Sequence, residues 1–115
     1  RPCRGWLRRR CCVVFPCLPR PIWLPRVRRA LDVAGLARTI LNHWESLDGA
    51  ADILLLEGAG GLCVPLNERE DMLDLMSALD LPVLLVGGNG LGALNHSLLS
   101  LASLRDKGLS LCALA

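Results

Sequence analysis

The sequence predicts an α/β protein in which helices flank a partial parallel sheet. Two short apolar runs, residues 53–56 and residues 82–86, show no polar alternation, as is typical of parallel strands covered on both faces. Segments with apolar residues at helical spacing lie between and beside these runs. Strands that alternate with helices at this spacing favour right-handed βαβ units and therefore a parallel sheet.

The first predicted helix covers residues 31–47, and Asp48 with Gly49 forms its stop signal. Its apolar stripe consists of Leu36, Ile40, Leu41, Trp44 and Leu47. Residues 53–56 follow as a strand. Residues 71–79 then form a short helix, predicted from the spacing of Met72, Leu75, Met76 and Leu79.

The last three predicted elements are a strand, a helix and the beginning of another strand. Leu81 and Pro82 lead into the strand of residues 82–86, and residues 94–107 form the clearest helix of the chain. Gly108 stands at its C′ position, and residues 109–115 begin a strand. The predicted core face of this helix consists of Leu94, Leu98, Leu101 and Leu104.

The first 29 residues differ in composition from the rest of the chain. Residues 1–29 contain nine arginines and no acidic residue, whereas residues 30–115 contain four basic and eleven acidic residues. The first segment shows no helix or strand period and too little hydrophobic continuity for a core. We therefore divide the chain into a disordered or non-native arm, residues 1–29, and a partial α/β domain, residues 30–115.

Three interpretations of the arm stay open. The arginines suit a targeting peptide, but the apolar part CCVVFPCL is short, Pro16 interrupts it, and the chain begins without Met. The charge suits a nucleic-acid-binding tail, although regular aromatic interleaving is absent. We favour the third interpretation, in which the arm is foreign to the domain, for example through translation in a shifted reading frame.

Cysteine spacing predicts no zinc site. Cys11, Cys12 and Cys17 form no CxxC pair, and both histidines lie far away in the sequence. Cys63 and Cys112 fall in segments that we expect to be buried, where a thiol behaves as a small hydrophobic group. This favours a reduced, cytoplasmic protein. No run approaches the roughly twenty apolar residues of a membrane span, and we expect neither a membrane nor a nucleic-acid partner.

The candidate site begins where the first apolar run ends. Glu57 follows this run and precedes Gly58, Gly60 and Gly61, which let the backbone approach a ligand closely. Ligands of open α/β sheets bind at the carboxyl ends of strands. A carboxylate at this position is therefore better placed to take part in ligand binding or catalysis than to pack in the core. The alternative is a structural role, in which Glu57 caps a turn or pairs with Arg69.

A second glycine-rich turn, GGNGLGALNH over residues 87–96, leads from the second strand into the last helix. The free N–H groups in the first turn of a helix and the helix dipole favour an anion such as carboxylate or phosphate. Two strand ends about thirty residues apart predict one shared crevice. In the simpler interpretation, Asn95 makes a local hydrogen bond at the helix start and His96 is structural.

These motifs together resemble the dethiobiotin synthetases. EGAGG, then VPL, then a buried strand, then LGxxNH at the start of a helix is the arrangement that this family shows in its second half. The likeness covers residues 31–115 and is sharpest over residues 53–108. Related P-loop amide-forming enzymes, such as the cobyrinic acid amidases, carry turns similar to EGAGG, but LGALNH at this distance favours the dethiobiotin synthetases.

The resemblance implies a P-loop NTPase-like fold, a homodimer and an ATP-dependent ligase of biotin biosynthesis. Carbon dioxide adds to an amine of diaminopelargonate (7,8-diaminononanoate), ATP phosphorylates the carbamate, and the second amine displaces phosphate to give dethiobiotin. ATP is then a co-substrate and Mg²⁺ the cofactor. Catalysis of phosphoryl transfer consists mainly of positioning and electrostatic stabilisation.

The resemblance also implies roles for single residues. Glu57 would bind magnesium, because one carboxylate suffices for a hard cation when phosphates supply further oxygens. The ATP-binding residues would be Glu57, Gly58, Ala59 and Gly60. The substrate carboxylate would bind backbone N–H groups across the dimer interface, at Leu91, Gly92, Ala93, Leu94 and Asn95.

Two parts of the family's usual catalytic set are absent from this sequence. No GxxxxGKT-type phosphate loop occurs in it, and Lys107, the only lysine, matches no active-site position of the family. We therefore assign no catalytic residue, expect the sheet to lack its N-terminal strand and phosphate loop, and expect the chain to be inactive by itself. The alternative functions are a non-catalytic remnant that keeps only dimer contacts and an amidase relative.

Overall fold

The computed structural model describes residues 10–16 and 31–115 of the chain. These residues form four strands and three helices. The strands are β1 (Arg10–Pro16), β2 (Ile53–Glu57), β3 (Val83–Val86) and β4 (Leu111–Leu114), and the helices are α1 (Val33–Ser46), α2 (Met72–Leu79) and α3 (Ala93–Asp106). The predicted α/β class and the parallel sheet are confirmed, because every strand pair of the sheet is parallel.

Strand β1 lies inside the sheet, whose order is β2-β1-β3-β4. Val14 of β1 lies opposite Glu57 of β2, and Pro16 lies opposite Val86 of β3. This differs from our expectation that residues 1–29 contribute no strand and that the sheet lacks its N-terminal strand. The physical reason is the run CCVVF at residues 11–15, because β-branched and aromatic residues favour strands even between arginines and prolines.

The remaining predictions for the first 29 residues concern parts of the chain outside the described ranges. Residues 1–9 and 17–30 belong to neither described range. The disordered or non-native arm, the boundary at residue 30 and the lack of a phosphate loop after β1 therefore stay predictions.

Acidic side chains determine where α1 and α2 begin. The Asp32 carboxylate accepts a hydrogen bond from the Gly35 N–H at 3.0 Å. At the start of α2, Asp71 accepts from the Asp74 N–H while Asp74 accepts from the Asp71 N–H. These caps pair N–H groups that have no partner within the helix. Gly108, with φ of 69°, follows α3 in the left-handed conformation that its predicted C′ position requires.

One apolar cluster joins α1, α2, β3 and the C-terminal part of α3. Its fully buried side chains are Met76, Leu85, Leu104 and Val83. Trp44 of α1 is also buried, and the other four predicted stripe residues of this helix pack partly buried against the cluster. The helical period of the sequence therefore identified the inner faces of α1 and α2.

Two predictions of burial are wrong. Strand β2 forms an edge of the sheet, and Ile53 and Leu55 on one of its faces are 58% and 62% exposed. A continuous apolar run therefore did not mean that both faces are covered. Cys63 and Cys112 are exposed rather than buried, because Cys63 lies in a loop and every residue of β4, which contains Cys112, is exposed.

The predicted core face of α3 is also only partly correct. Leu104 is buried and Leu101 is half-buried, but Leu94 and Leu98 are 74% and 56% exposed. Helical spacing reveals an apolar face and does not reveal what covers it. Among the described residues, none of the helices combines the length and apolarity that crossing a bilayer requires.

Candidate functional site

Glu57 is the last residue of β2 and lies at the carboxyl edge of the sheet. The strands are parallel, so β1 and β3 end at this same edge, and β1 separates β2 from β3. The ends of β2 and β3 are therefore roughly 10 Å apart, twice the spacing of adjacent strands. The two predicted turns thus lie on either side of the end of β1.

The glycine turn after Glu57 has a backbone that favours glycine. Gly60 and Gly61 have φ of 88° and 123°, in the left-handed region. A Cβ on Gly61 would meet nothing within 4 Å, so the requirement there is conformational and not steric. Gly58 is buried, whereas Glu57 is exposed. The turn therefore leaves the carboxylate open to a ligand.

An apolar cavity of about 280 Å³ adjoins this turn. Half of its lining residues are leucine, isoleucine and methionine residues of α1 and α2, including Ile40 and Met76. Residues 57–59 also line it, whereas Gly60 does not. Glu57 is the charged member of the described lining, so the cavity joins an apolar wall to a single carboxylate.

Glu57 has no ion-pair partner among the described residues. The salt bridge found in that part of the chain joins Lys107 Nζ and Asp74 Oδ1 at 2.6 Å. The alternative in which Glu57 pairs with Arg69 is therefore not realised. Residues 10–16 and 31–115 also contain no group of three or more potential metal-ligating side chains. A cation at Glu57 would need further oxygen ligands from a bound molecule.

The turn before α3 has N–H groups at a helix N-terminus that find no partner in the described part of the chain. Gly92 is the N-cap, with φ of 86° and no side-chain cap. The His96 N–H donates to the Gly92 carbonyl at 3.0 Å, whereas the N–H groups of Leu94 and Asn95 make no backbone hydrogen bond within the described residues. This arrangement can accept an anion.

The structure brings the predicted site residues together in two groups. Residues 57–60 form the end of β2 and the turn after it. Residues 91–95 form the end of the second turn and the start of α3, and they lie outside the lining of the cavity. Within the second group Ala93 is half-buried and the other four residues are exposed. The assignment of these groups to ATP and to substrate stays a prediction.

Asn67 makes four side-chain hydrogen bonds and is a residue that the sequence motifs did not reveal. Its Nδ2 donates to the Leu31 carbonyl at 2.8 Å and to Glu70 Oε2 at 2.6 Å. Its Oδ1 accepts from the N–H groups of Arg69 at 2.8 Å and Glu70 at 2.9 Å. The sequence signal was the asparagine after Pro-Leu, since asparagine side chains bond their own backbone in turns.

Comparison with protein families identifies the family to which this chain belongs. The family described as an AAA domain matches residues 22–115. The chain belongs to this family.

Individual relatives define the resemblance further. An enzyme from Phenylobacterium zucineum (strain HLK1) is 49% identical over 75 residues, which are 65% of this chain and 32% of that protein. A second, from Aromatoleum aromaticum, is 46% identical over 96 residues, 83% of this chain and 42% of that protein. A third, from Methanocaldococcus jannaschii, is 43% identical over 80 residues, 70% of this chain and 37% of that protein. Each is named ATP-dependent dethiobiotin synthetase BioD.

The resemblance to the dethiobiotin synthetases, an ATP-dependent ligase family, is thereby confirmed. The chain spans between 32% and 42% of the length of these three relatives.

Proposed function

We propose that this chain is a portion of an ATP-dependent dethiobiotin synthetase, which closes a ring on diaminopelargonate with carbon dioxide and ATP in biotin biosynthesis. One observation carries the proposal: the exposed carboxylate of Glu57 and the unpaired N–H groups at the start of α3 lie at the same edge of a parallel sheet. The identity of 43% to 49% with enzymes of that name supports it.

Glu57 is the proposed magnesium ligand beside the ATP phosphates. It is exposed, has no ion-pair partner among the described residues and precedes a turn with two left-handed glycines. Mg²⁺ is usually held by one or two carboxylates together with substrate phosphates and water, so a single carboxylate fits this ion. A bound ion would neutralise phosphate charge. The backbone of residues 58–60 would lie close to the phosphates.

The start of α3 is the proposed site for the carboxylate of diaminopelargonate. The N–H groups of Leu94 and Asn95 are unpaired within the described residues, and the helix dipole favours an anion there by about 0.3 to 1 kcal/mol. The exposed leucines of α3 suit contact with a second copy, which supports a homodimer with the substrate site at its interface. These are Leu94, Leu98 and Leu99, and the exposed Leu91 lies just before the helix.

We expect the 115-residue chain by itself to form no dethiobiotin. It contains no GxxxxGKT-type loop to hold the phosphates, and Lys107 is paired with Asp74. The exposed apolar face of α3 favours, as a second candidate, a non-catalytic protein that keeps only dimer contacts. Retention of LGxxNH argues against an amidase relative.

A chimera tests the proposal. The N-terminal half of a full-length relative, with its own phosphate loop and central strand, would replace residues 1–29. We expect turnover of diaminopelargonate, bicarbonate and magnesium-ATP by this chimera and none by the original chain. Glu57→Gln should raise the magnesium-ATP concentration needed for half-maximal rate without lowering the melting temperature.

The matched control for Glu57→Gln is Glu68→Gln in the same chimera, which removes an exposed carboxylate from the loop after the glycine turn. Equal magnesium-ATP dependence of the two variants would refute the role of Glu57. A chimera that folds and dimerises but forms no product would favour the non-catalytic candidate.

A further inference from the structure

One side chain, that of Asn67, fastens the loop after the glycine turn to the residues before α1. The bond from its Nδ2 to the Leu31 carbonyl, 2.8 Å long, spans 36 positions of sequence. The bonds to Arg69 and Glu70 lie within the loop. Both donors and both acceptor positions of the amide are thus used.

Both ends of this connection border the cavity beside Glu57. Leu31 and Leu66, the residue before Asn67, line the cavity together with Glu57. The loop has other bonds of its own, such as the Leu66 N–H to the Glu70 carbonyl at 2.9 Å. The bond from Asn67 joins this loop, residues 62–71, to residues 31–46.

We infer that Asn67 is a positioning residue, which sets the shape of the glycine turn beside Glu57 by tethering the loop after the turn to Leu31. The pairing of Glu57 with Val14 fixes the near end of the turn. Gly60 and Gly61 permit many backbone conformations, so the shape of the turn depends on its two fixed ends. The inference rests on the proposed function only in taking Glu57 as the ligand-binding group.

The bond from Asn67 Nδ2 to the Leu31 carbonyl is the tether. Two substitutions distinguish it from the bonds inside the loop. In Asn67→Asp, the carboxylate still accepts from the N–H groups of residues 69 and 70, but it has no donor for the Leu31 carbonyl or Glu70. Adding Glu70→Gln supplies an amide donor to that carboxylate. The double variant therefore keeps the bonds inside the loop and lacks the tether. Asn42→Asp, at an exposed asparagine of α1, makes the same chemical change elsewhere.

The readouts are amide hydrogen exchange and backbone NMR resonances of the complete chain. In the double variant we expect wild-type exchange over residues 66–72 and about five-fold faster exchange over residues 31–36, the factor for one lost hydrogen bond. The resonances of residues 58–61 should shift, whereas Glu70→Gln and Asn42→Asp should leave them unchanged.

Two outcomes would overturn the inference. One is that residues 58–61 of the double variant have the same resonances as in Glu70→Gln alone. The other is that the double variant unfolds, because the tether would then be needed for folding and not for position. Neither outcome depends on whether Glu57 binds magnesium-ATP, so failure here is distinct from failure of the proposed function.

Discussion

Lys107, just after α3, donates to Asp74 in the first turn of α2, with 2.6 Å between Nζ and Oδ1. This hydrogen bond holds the pKa of the Asp74 carboxyl below its ordinary value, and the N–H of Asp71 acts in the same direction. The bond to Asp74 raises the pKa of Lys107 above its ordinary value. Both side chains remain partly exposed to water, so the pair is a weak link between two helices.

The contribution of this pair should depend on pH at both ends of the scale. The pKa of Asp74 is lower in the folded protein than its ordinary value of 3.8. The pair therefore contributes to the free energy of unfolding above pH 3.8, and this contribution is lost as the pH falls through the folded pKa. The raised pKa of Lys107 means that stability is present below 10.5 and lost as the pH rises through the folded pKa. Lys107→Gln should therefore lower the melting temperature at neutral pH and match the wild type at both extremes.

Arg105→Gln is the control for Lys107→Gln, because Arg105 is exposed and has no ion pair among the described residues. Melting temperatures of both variants across the pH range would measure the effect. If the difference in melting temperature between Lys107→Gln and the wild type stays constant down to the lowest pH, the pair does not contribute to stability in the way proposed.

The core should be sensitive at Met76. Its side chain is 1% exposed and lines the cavity, so Met76→Ala would enlarge an existing void. We expect the free energy of unfolding to fall by about 2 to 5 kcal/mol in urea titrations. Leu55→Ala, at a leucine that is 62% exposed on β2, should change it by no more than about 0.5 kcal/mol. Similar losses in both variants would show that the core is elsewhere.

The start of α3 should require glycine at position 92 because of its backbone. Its φ is 86°, and an added Cβ would lie 3.8 Å from the nearest atom, in the His96 ring, which is ordinary contact. Gly92→Val should therefore cost about 1 to 2 kcal/mol from left-handed strain alone. In the chimera it should also raise the diaminopelargonate requirement, with little change for ATP.

Gly90→Val makes the same substitution two residues earlier, where a Cβ would meet nothing within 4 Å and φ is not positive. We expect this control to bind substrate normally. Unchanged substrate use by Gly92→Val, or equal harm to ATP binding, would mean that the turn is only a connection between strand and helix.

The exposed face of α3 should mediate self-association. Leu94 and Leu98 are 74% and 56% exposed on the N-terminal half of the helix. Replacing both by glutamine should weaken dimerisation at least about ten-fold in sedimentation experiments, since about 1.4 kcal/mol of lost apolar burial gives that factor. Leu55→Gln, at a leucine that is 62% exposed on β2, should have no such effect. Equal association of all variants would place the interface elsewhere.

The central position of β1 should make it intolerant of proline. Val13 pairs with both β2 and β3, so Val13→Pro removes a ladder N–H from the middle of the sheet. We expect a large loss of ordered structure by circular dichroism. Ile53→Pro, at the first residue of an edge strand, should be tolerated far better. A folded Val13→Pro variant would show that β1 is not needed in the sheet.

The sequence predicted those elements whose signal is local. The apolar stripe around Trp44 predicted α1, and the apolar run before Gly87 predicted β3. Both predictions use the periodicity or composition of a few neighbouring residues. It failed at β1, where the arginines and prolines around a five-residue apolar run hid a strand that pairing with distant strands stabilises. It also failed at Leu94 and Leu98, because the same spacing marks a core face and a surface face.

The candidate site was predicted to a similar extent. Glu57 was identified correctly as the end of a strand, since a charge after an apolar run is a local feature. The separation of its turn from residues 91–95 by β1 depends on strand order, which no local pattern contains. Asn67 was missed for a related reason: its partner Leu31 lies 36 residues away.

The insertion of β1 between β2 and β3 has a consequence for the kinetics of folding. Strand β1 comes first among the described strands, yet its Val13 lies opposite Val83, so this contact closes a loop of about seventy residues. Such non-local parallel pairings slow folding, because loop entropy is lost before the contact forms. The segments α1-β2 and α2-β3 can form early, but if β2 pairs directly with β3 before β1 arrives, that pairing must open again. Refolding should therefore show a slow kinetic phase. The amplitude of this phase should increase in variants that destabilise β1.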